Sequence, residues 1–153
     1  MKPYDDKSGI IYWDIPYQAG ELKAEGCDTN GNVLSNYSIT SSGRPYAIRA
    51  SADCDTLSSG KTIAHITVEV VDEKGTVVKL GDNNITCHME GPAKLLGLEN
   101  SDNSDMGDYT DNRQRVYHGR LLAYIQATGE KGEIYVKFTS PLLKGTEVTL
   151  KAE

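Results

Sequence analysis

Hydrophobic and polar residues alternate along most of this chain, which is the two-residue period of a β-strand with one buried face. The clearest stretch is residues 62–71, whose apolar positions share one face and whose polar positions share the other. The apolar set is Ala64, Ile66, Val68 and Val70, and the polar set is His65, Thr67 and Glu69. No stretch of ten or more residues shows a helical stripe. The pattern therefore predicts an all-β protein.

From residue 46 onward, the predicted strands recur at the spacing of an immunoglobulin-like β-sandwich. They are residues 46–52, 62–71, 85–89, 93–98, 119–128, 134–138 and 148–150. Residues 99–112 have no period and are rich in Asp, Asn, Ser and Gly, which predicts a loop. We expect a complete terminal sandwich over residues 43–153.

Three more short strands are predicted near the start of the chain, at residues 10–15, 21–27 and 33–40. Asn30-Gly31 lies between the second and third of them, and Asn-Gly is a strong signal for a β-hairpin. We therefore predict a three-stranded meander. The run SSGRP at residues 41–45 then breaks the pattern and predicts a linker between residues 1–42 and 43–153.

The composition excludes two classes of partner. The formal net charge is −6 and Lys and Arg are not clustered, which argues against nucleic acid because phosphate binding depends on basic patches. No apolar stretch approaches the roughly 20 residues that cross a bilayer, so no membrane span is expected. The first residues also lack the hydrophobic core of a secretory signal.

The cysteines and the acidic loop are candidates for metal sites. Cys27, Cys54 and Cys87 are odd in number and widely spaced, which indicates small buried hydrophobes rather than a disulfide framework or a metal site. In the loop, an EF-hand register that starts at Asp102 puts Met106 at the fifth ligand position and Arg113 at the last. We predict a solvated acidic loop that binds calcium weakly or not at all, and no cofactor.

Histidine and aromatic residues are the remaining candidates. His65, His88 and His118 share no metal-ligand spacing, and no nucleophile-elbow motif occurs, so surface positions are expected for all three. Trp13, with Tyr12 and Tyr17 near it, is the aromatic residue best placed to stack on a sugar. Its position in a predicted strand favours a place in a core or a domain junction.

Two segments carry a resemblance to a known family: IPYQAGELKAEG at residues 15–26 and RVYHGRLLAYIQATGEKGEIYVKFTS at residues 115–140. Both resemble the tail of a bacterial glycoside hydrolase family 2 enzyme of the β-galactosidase kind. The matching positions in the earlier segment are Tyr17, Gly20, Glu21, Leu22, Lys23 and Ala24. The resemblance implies the last strands of one immunoglobulin-like sandwich followed by the complete terminal sandwich of such an enzyme.

In that family a barrel carries the catalytic glutamates, and nothing here matches the barrel. A retaining glycosidase needs two carboxylates about 5 Å apart in a sugar-binding cleft, whereas the acidic residues here fall in turns or on outward strand positions. The resemblance thus implies a non-catalytic, structural C-terminal region, with no catalytic, cofactor or metal residues, that packs against other domains of a periplasmic or secreted parent enzyme.

Two other functions stay open from the sequence. One is a carbohydrate-binding module that uses exposed aromatic residues. The other is a stalk or adhesin-type sandwich of a cell-surface protein, because fold does not fix function. The strands before residue 42 are expected either to dock on the terminal sandwich or to self-associate, because an incomplete sandwich leaves open edges and an uncovered apolar face. Self-association is favoured, because an open edge recruits strands.

Overall fold

The structure, a computed structural model, describes residues 2–58 and 60–153. These residues form eleven β-strands and no helix, so the predicted all-β class is confirmed. It follows that the described ranges contain no helix able to span a membrane. The chain divides after Ser41 into two compact units, which are described separately below.

The first unit is a two-stranded antiparallel ribbon of β1 (Glu21–Cys27) and β2 (Val33–Thr40). Asp28 shapes the loop between them, because its Oδ1 accepts hydrogen bonds from the backbone N–H groups of Asn30 and Asn32, both at 2.8 Å. Gly31 has a φ of 86°, which suits glycine. The predicted hairpin is therefore present, although its loop is longer than a two-residue turn.

The strand predicted at residues 10–15 is wrong. This segment forms no strand, and in the described parts of the chain β1 pairs with β2 alone. Trp13 and Ile15 would share one apolar face of an extended segment, but a strand also needs a neighbouring backbone to bond. Trp13 is 53% exposed and Ile15 55%, so this face is not buried either. The predicted three-stranded meander is therefore wrong, and the first unit contains a two-stranded ribbon instead.

The second unit contains two sheets. Its strands are β3 (Ala47–Ala52), β4 (Thr56–Leu57), β5 (Ile63–Val71), β6 (Asn84–Glu90), β7 (Ala93–Glu99), β8 (Arg113–Arg115), β9 (Arg120–Ala127), β10 (Gly132–Thr139) and β11 (Thr146–Ala152). One sheet has the order β3-β5-β9-β7 and the other β4-β11-β10-β6-β8. Every strand pair is antiparallel except β4 with β11, which is parallel.

The hydrophobic core of this unit comes from alternate residues of both sheets, which is the arrangement of a β-sandwich. The four-stranded sheet supplies Ala64, Ile66, Val68 and Val70 from β5 and Leu121, Ala123 and Ile125 from β9. The five-stranded sheet supplies Ile85, Ile134, Val136, Phe138 and Leu150. The alternation predicted for residues 62–71 is confirmed, with His65 and Thr67 on the exposed face.

Two strands were missed by the sequence analysis. β4 has two residues and β8 has three, which is too short for alternation to be recognised. Both lie at edges of the five-stranded sheet. The loop predicted between residues 99 and 112 contains no strand from residue 100 onward, and β8 starts directly after it.

Candidate functional site

The acidic loop after β7 uses its carboxylates to hold its own turns. Asp102 Oδ1 accepts hydrogen bonds from the backbone and hydroxyl of Ser104, at 3.0 and 2.6 Å, and these bonds lower the pKa of the Asp102 carboxyl. Asp108 accepts the same pair of bonds from Thr110, at 2.9 and 2.6 Å. Residues 2–58 and 60–153 contain no group of three or more His, Cys, Asp or Glu side chains that could hold a metal ion. Weak calcium binding stays a prediction.

All three histidines lie on the surface, as predicted. His65 Nδ1 is 2.7 Å from Asp53 Oδ2, and the ring of His65 contacts the Tyr124 ring edge-on. His88 Nε2 is 3.2 Å from Thr139 Oγ1, on the outer face of the five-stranded sheet. His118 lies in the turn between β8 and β9. The three are thus distributed over different parts of the second unit.

The three cysteines are free thiols. Cys87 is buried in the core, and burial raises the pKa of its thiol to about 12. A thiol with so high a pKa is a poor nucleophile, because the thiolate is the reactive form. The prediction of a buried hydrophobe is confirmed for Cys87, whereas Cys27 and Cys54 are only partly buried.

A charge cluster that the sequence analysis missed lies on the outer face of the four-stranded sheet. Glu69 on β5 accepts hydrogen bonds from Arg49 on β3, through Nε at 2.8 Å, and from Arg120 on β9, through Nε at 2.7 Å. Partial burial opposes ionisation of Glu69, but the two guanidinium groups outweigh it and lower the pKa of the carboxyl. The cluster joins three adjacent strands. Finding it required the strand register, which places both arginines opposite Glu69.

Glu69→Gln should lower the free energy of unfolding by about 1 kcal/mol at neutral pH, because both guanidinium groups are half exposed and screened by water. A carboxyl whose pKa is lowered in the folded state stabilises the fold above its unfolded-state pKa. The deficit of the variant should therefore shrink as the pH falls below about 4. Urea unfolding at several pH values measures this, with the exposed Glu130→Gln as control. An equal deficit in acid would rule out an electrostatic origin.

The exposed apolar surface of the first unit is the strongest candidate for a functional surface. We call it the ribbon face and define it by Leu22, Ala24, Tyr37 and Ile39, which pair across the ribbon as Leu22 with Ile39 and Ala24 with Tyr37. Leu22 is 46% exposed, Tyr37 71% and Ile39 51%. The opposite face is polar, with Lys23 opposite Ser38. The ribbon is thus amphipathic, with its apolar side uncovered.

A groove of about 420 Å³ extends the ribbon face toward the preceding segment. Its apolar lining comes from Ile15, Pro16 and Tyr17, together with Leu22 and Ile39 of the ribbon face. Trp13, which precedes this segment, is half exposed, so the core position considered for it is wrong and a junction position stays a prediction. Tyr12 and Tyr17 are more exposed still, at 73% and 84%.

Fold and surfaces together define the class of this protein as an all-β sandwich domain that carries an uncovered apolar ribbon. The family model described as glycoside hydrolase family 2 C-terminal domain 5 matches residues 48–149, which is more than half of the chain. The chain therefore belongs to this family, and the resemblance described above is confirmed.

Two related β-galactosidases and one solved structure support the same family assignment. The chain is 28% identical over 144 residues to a β-galactosidase of Bacteroides ovatus, covering 94% of this chain and 17% of that one. It is 24% identical over 133 residues to a β-galactosidase of Thermoanaerobacter pseudethanolicus, covering 86% of this chain and 16% of the relative. A crystal structure of a glycosyl hydrolase family 2 member from Bacteroides cellulosilyticus matches with a TM-score of 0.91 and 26% identity, covering 97% of this chain and 19% of that one. This chain spans less than a fifth of the length of each.

Proposed function

We propose that this chain is a non-catalytic accessory region of a family 2 glycoside hydrolase and that its role is to pack against other domains of that enzyme. The observation that carries the proposal is the ribbon face. Its three large side chains are about half exposed or more, while the other side of the same ribbon is polar. A two-stranded hairpin is marginally stable alone and needs further strands or a packed face. The exposed ribbon face therefore supports the proposal that another domain packs over it.

Within the parent enzyme, that cover would come from the remaining strands of the sandwich to which β1 and β2 belong. The parent activity supported by the two β-galactosidase relatives is hydrolysis of a β-galactoside or a related glycoside, and the two catalytic glutamates would lie in its barrel. We expect the purified chain not to hydrolyse a nitrophenyl galactoside. Turnover that a single Asp or Glu substitution in this chain abolished would overturn the non-catalytic assignment.

When the chain is isolated, a second copy is the partner available to the ribbon face, so we expect the full chain to self-associate. Substituting Leu22→Glu together with Ile39→Lys places opposite charges at one cross-strand pair of the ribbon face, which removes the apolar surface while preserving a favourable pair. Light scattering should show association of the full chain and a monomer for this double variant. The matched control exchanges the next pair on the polar face, Lys23→Ser with Ser38→Lys, and should still associate.

Deleting residues 1–41 provides a second test, because it removes the first unit as a whole. We expect the remaining residues to stay folded and to be more monomeric than the full chain. A different result would change the domain assignment. If the full chain is monomeric and the shortened one unfolds, the strands before residue 42 belong to the core of a single domain, and the boundary proposed near Gly43 is wrong.

A further inference from the structure

The turn between β8 and β9 places two aromatic rings side by side on the surface of the second unit. The backbone N–H of Tyr117 donates to the carbonyl of Arg120 at 2.9 Å, and Arg120 donates back to Tyr117 at 3.0 Å. His118 and Gly119, between them, have φ values of 49° and 73°. Positive φ at both central residues is the pattern of a type I′ turn. The rings of Tyr117 and His118 are 4.1 Å apart between their centroids.

Histidine tolerates its place in this turn but is not the residue that the turn favours most. A type I′ turn strongly favours Asn-Gly, because Asn tolerates the left-handed conformation better than most side chains. Gly119 is fixed by space as well as by φ, since a Cβ there would lie 3.0 Å from the Val78 carbonyl carbon and closer still to its oxygen. Histidine adopts the left-handed conformation more readily than most residues, so the backbone permits His118 but does not require it.

A groove of about 350 Å³ lies beside this turn, within the about 300–1,000 Å³ range of small-molecule sites. Its lining includes Glu99, Ser101, Tyr117, His118 and Arg120. Ser101 has a φ of 65°. Two of the three non-glycine residues with positive φ in the described ranges therefore line one groove. Residues held in such conformations concentrate at binding sites, where the surrounding structure fixes them.

Several polar groups of the groove are held in place by hydrogen bonds to neighbouring residues. Arg120 donates through Nε to Glu69 at 2.7 Å, and Glu99 accepts the backbone N–H of Ser101 at 2.5 Å. Asn100, only 7% exposed, fixes the adjoining loop by donating to Asp105 and to the Arg115 carbonyl, both at 2.9 Å. Groups held in this way lose little freedom when a ligand binds.

The chemistry of these groups identifies the kind of ligand. Arg120 and His118 can donate hydrogen bonds, whereas the Glu99 carboxylate accepts them and the Ser101 hydroxyl can do both. Glu69 is shared between Arg120 and Arg49, but Glu99 adds a second carboxylate to the groove, so the two arginines are matched by two acidic residues and no unopposed cation favours an anion. Tyr117, 40% exposed, offers an aromatic ring at the edge. Paired donors and acceptors beside an aromatic ring match the hydroxyls and the C–H face of a pyranose.

We infer that the groove beside Tyr117 and His118 binds a neutral oligosaccharide. The two rings also line a second groove, of about 240 Å³, with Lys79, Asp82, Asp102 and Arg115. An oligosaccharide could therefore cross the turn with one sugar on each side of the aromatic pair. This inference concerns the second unit and does not rest on the packing role proposed for the ribbon face.

The test is calorimetry on the full chain with three probes: a neutral β-linked galactotetraose, a neutral cellotetraose and an anionic tetragalacturonate. We expect one or both neutral probes to bind with a dissociation constant of about 10 μM to 1 mM. Tyr117→Ala should weaken that binding by about tenfold or more, since it removes the stacking surface. Tyr135→Ala, on the outer face of the other sheet beside His88, is the matched control and should leave binding unchanged.

A second variant separates binding from turn structure. His118→Asn restores the favoured Asn-Gly turn, so it should raise the midpoint of urea unfolding while it weakens binding of the neutral probe. A purely structural residue would show the gain in stability without a change in affinity. The inference is overturned if neither neutral probe binds at millimolar concentration, if only tetragalacturonate binds, or if Tyr117→Ala and His118→Asn both leave the affinity unchanged.

Discussion

Phe138→Ala is expected to lower the free energy of unfolding of the second unit by about 3–5 kcal/mol. Phe138 is fully buried and lies on β10, an inner strand of the five-stranded sheet. β10 is hydrogen-bonded to β11 on one side and to β6 on the other, so the backbone around the missing ring has little freedom to move inward. The variant therefore loses both the burial of the ring and the contacts around it.

Urea unfolding followed by far-UV circular dichroism measures this effect. Tryptophan fluorescence would not report it directly, because the single tryptophan, Trp13, lies in the first unit. Lys137→Ala is the matched control on the same strand, since its side chain is exposed, and it should change stability by less than about 0.5 kcal/mol. A loss below about 1 kcal/mol for Phe138→Ala would show that the two sheets close over the cavity.

Gly91→Ala is expected to cost about 2–4 kcal/mol, from two separate effects. Gly91 lies between β6 and β7 with a φ of 101°, which strains any residue that has a Cβ. A Cβ at this position would also lie 3.0 Å from the Ile134 Cα and closer still to the Glu133 carbonyl oxygen, both on β10. These are backbone atoms of a paired strand, so they cannot turn aside as a flexible side chain would.

Gly129→Ala separates the two effects. Gly129 lies in the turn between β9 and β10 with a similar φ of 98°, but the nearest atom to its added Cβ is 3.7 Å away, which is ordinary contact. This variant bears the conformational strain alone, about 1–2 kcal/mol. Thermal unfolding of both variants gives the steric part by difference. Equal losses would mean that β10 shifts without penalty to make room for the methyl group added by Gly91→Ala.

The sequence predicted the parts of this fold that depend on local alternation. β5, β9 and β10 each place every second residue in the core, so their period is visible without knowledge of their partners. Strand pairing depends on residues that are distant in the sequence. The strand that was wrongly predicted and the two strands that were missed all depend on such pairing. Residues 10–15 are mostly apolar or aromatic yet form no strand, and β4 and β8 pair within a sheet although they are too short to show a period.

The candidate sites divide in the same way. The exposure of the ribbon face could be anticipated, because the sequence showed strands with an apolar side and no sandwich of their own. The charge cluster around Glu69 depends on the register of three strands, and the groove beside Tyr117 depends on a turn meeting a loop from another part of the chain. His118-Gly119 is a local turn sequence that the analysis of hydrophobic alternation does not detect. His118 occupies the turn position before glycine where Asn is the usual residue.

The position of β11 in its sheet has a consequence for how the protein is made. β11 lies between β4 and β10, and its parallel pairing joins Lys151 to Thr56, close to opposite ends of the second unit's sequence. Leu150 and Ala152 also complete the core. During synthesis, the edge of β10 that pairs with β11 therefore stays unpaired until residue 152 has left the ribosome. Because the chain emerges at about 5–20 residues per second, the nascent unit passes through a period of seconds in which chaperones or other chains can reach that edge.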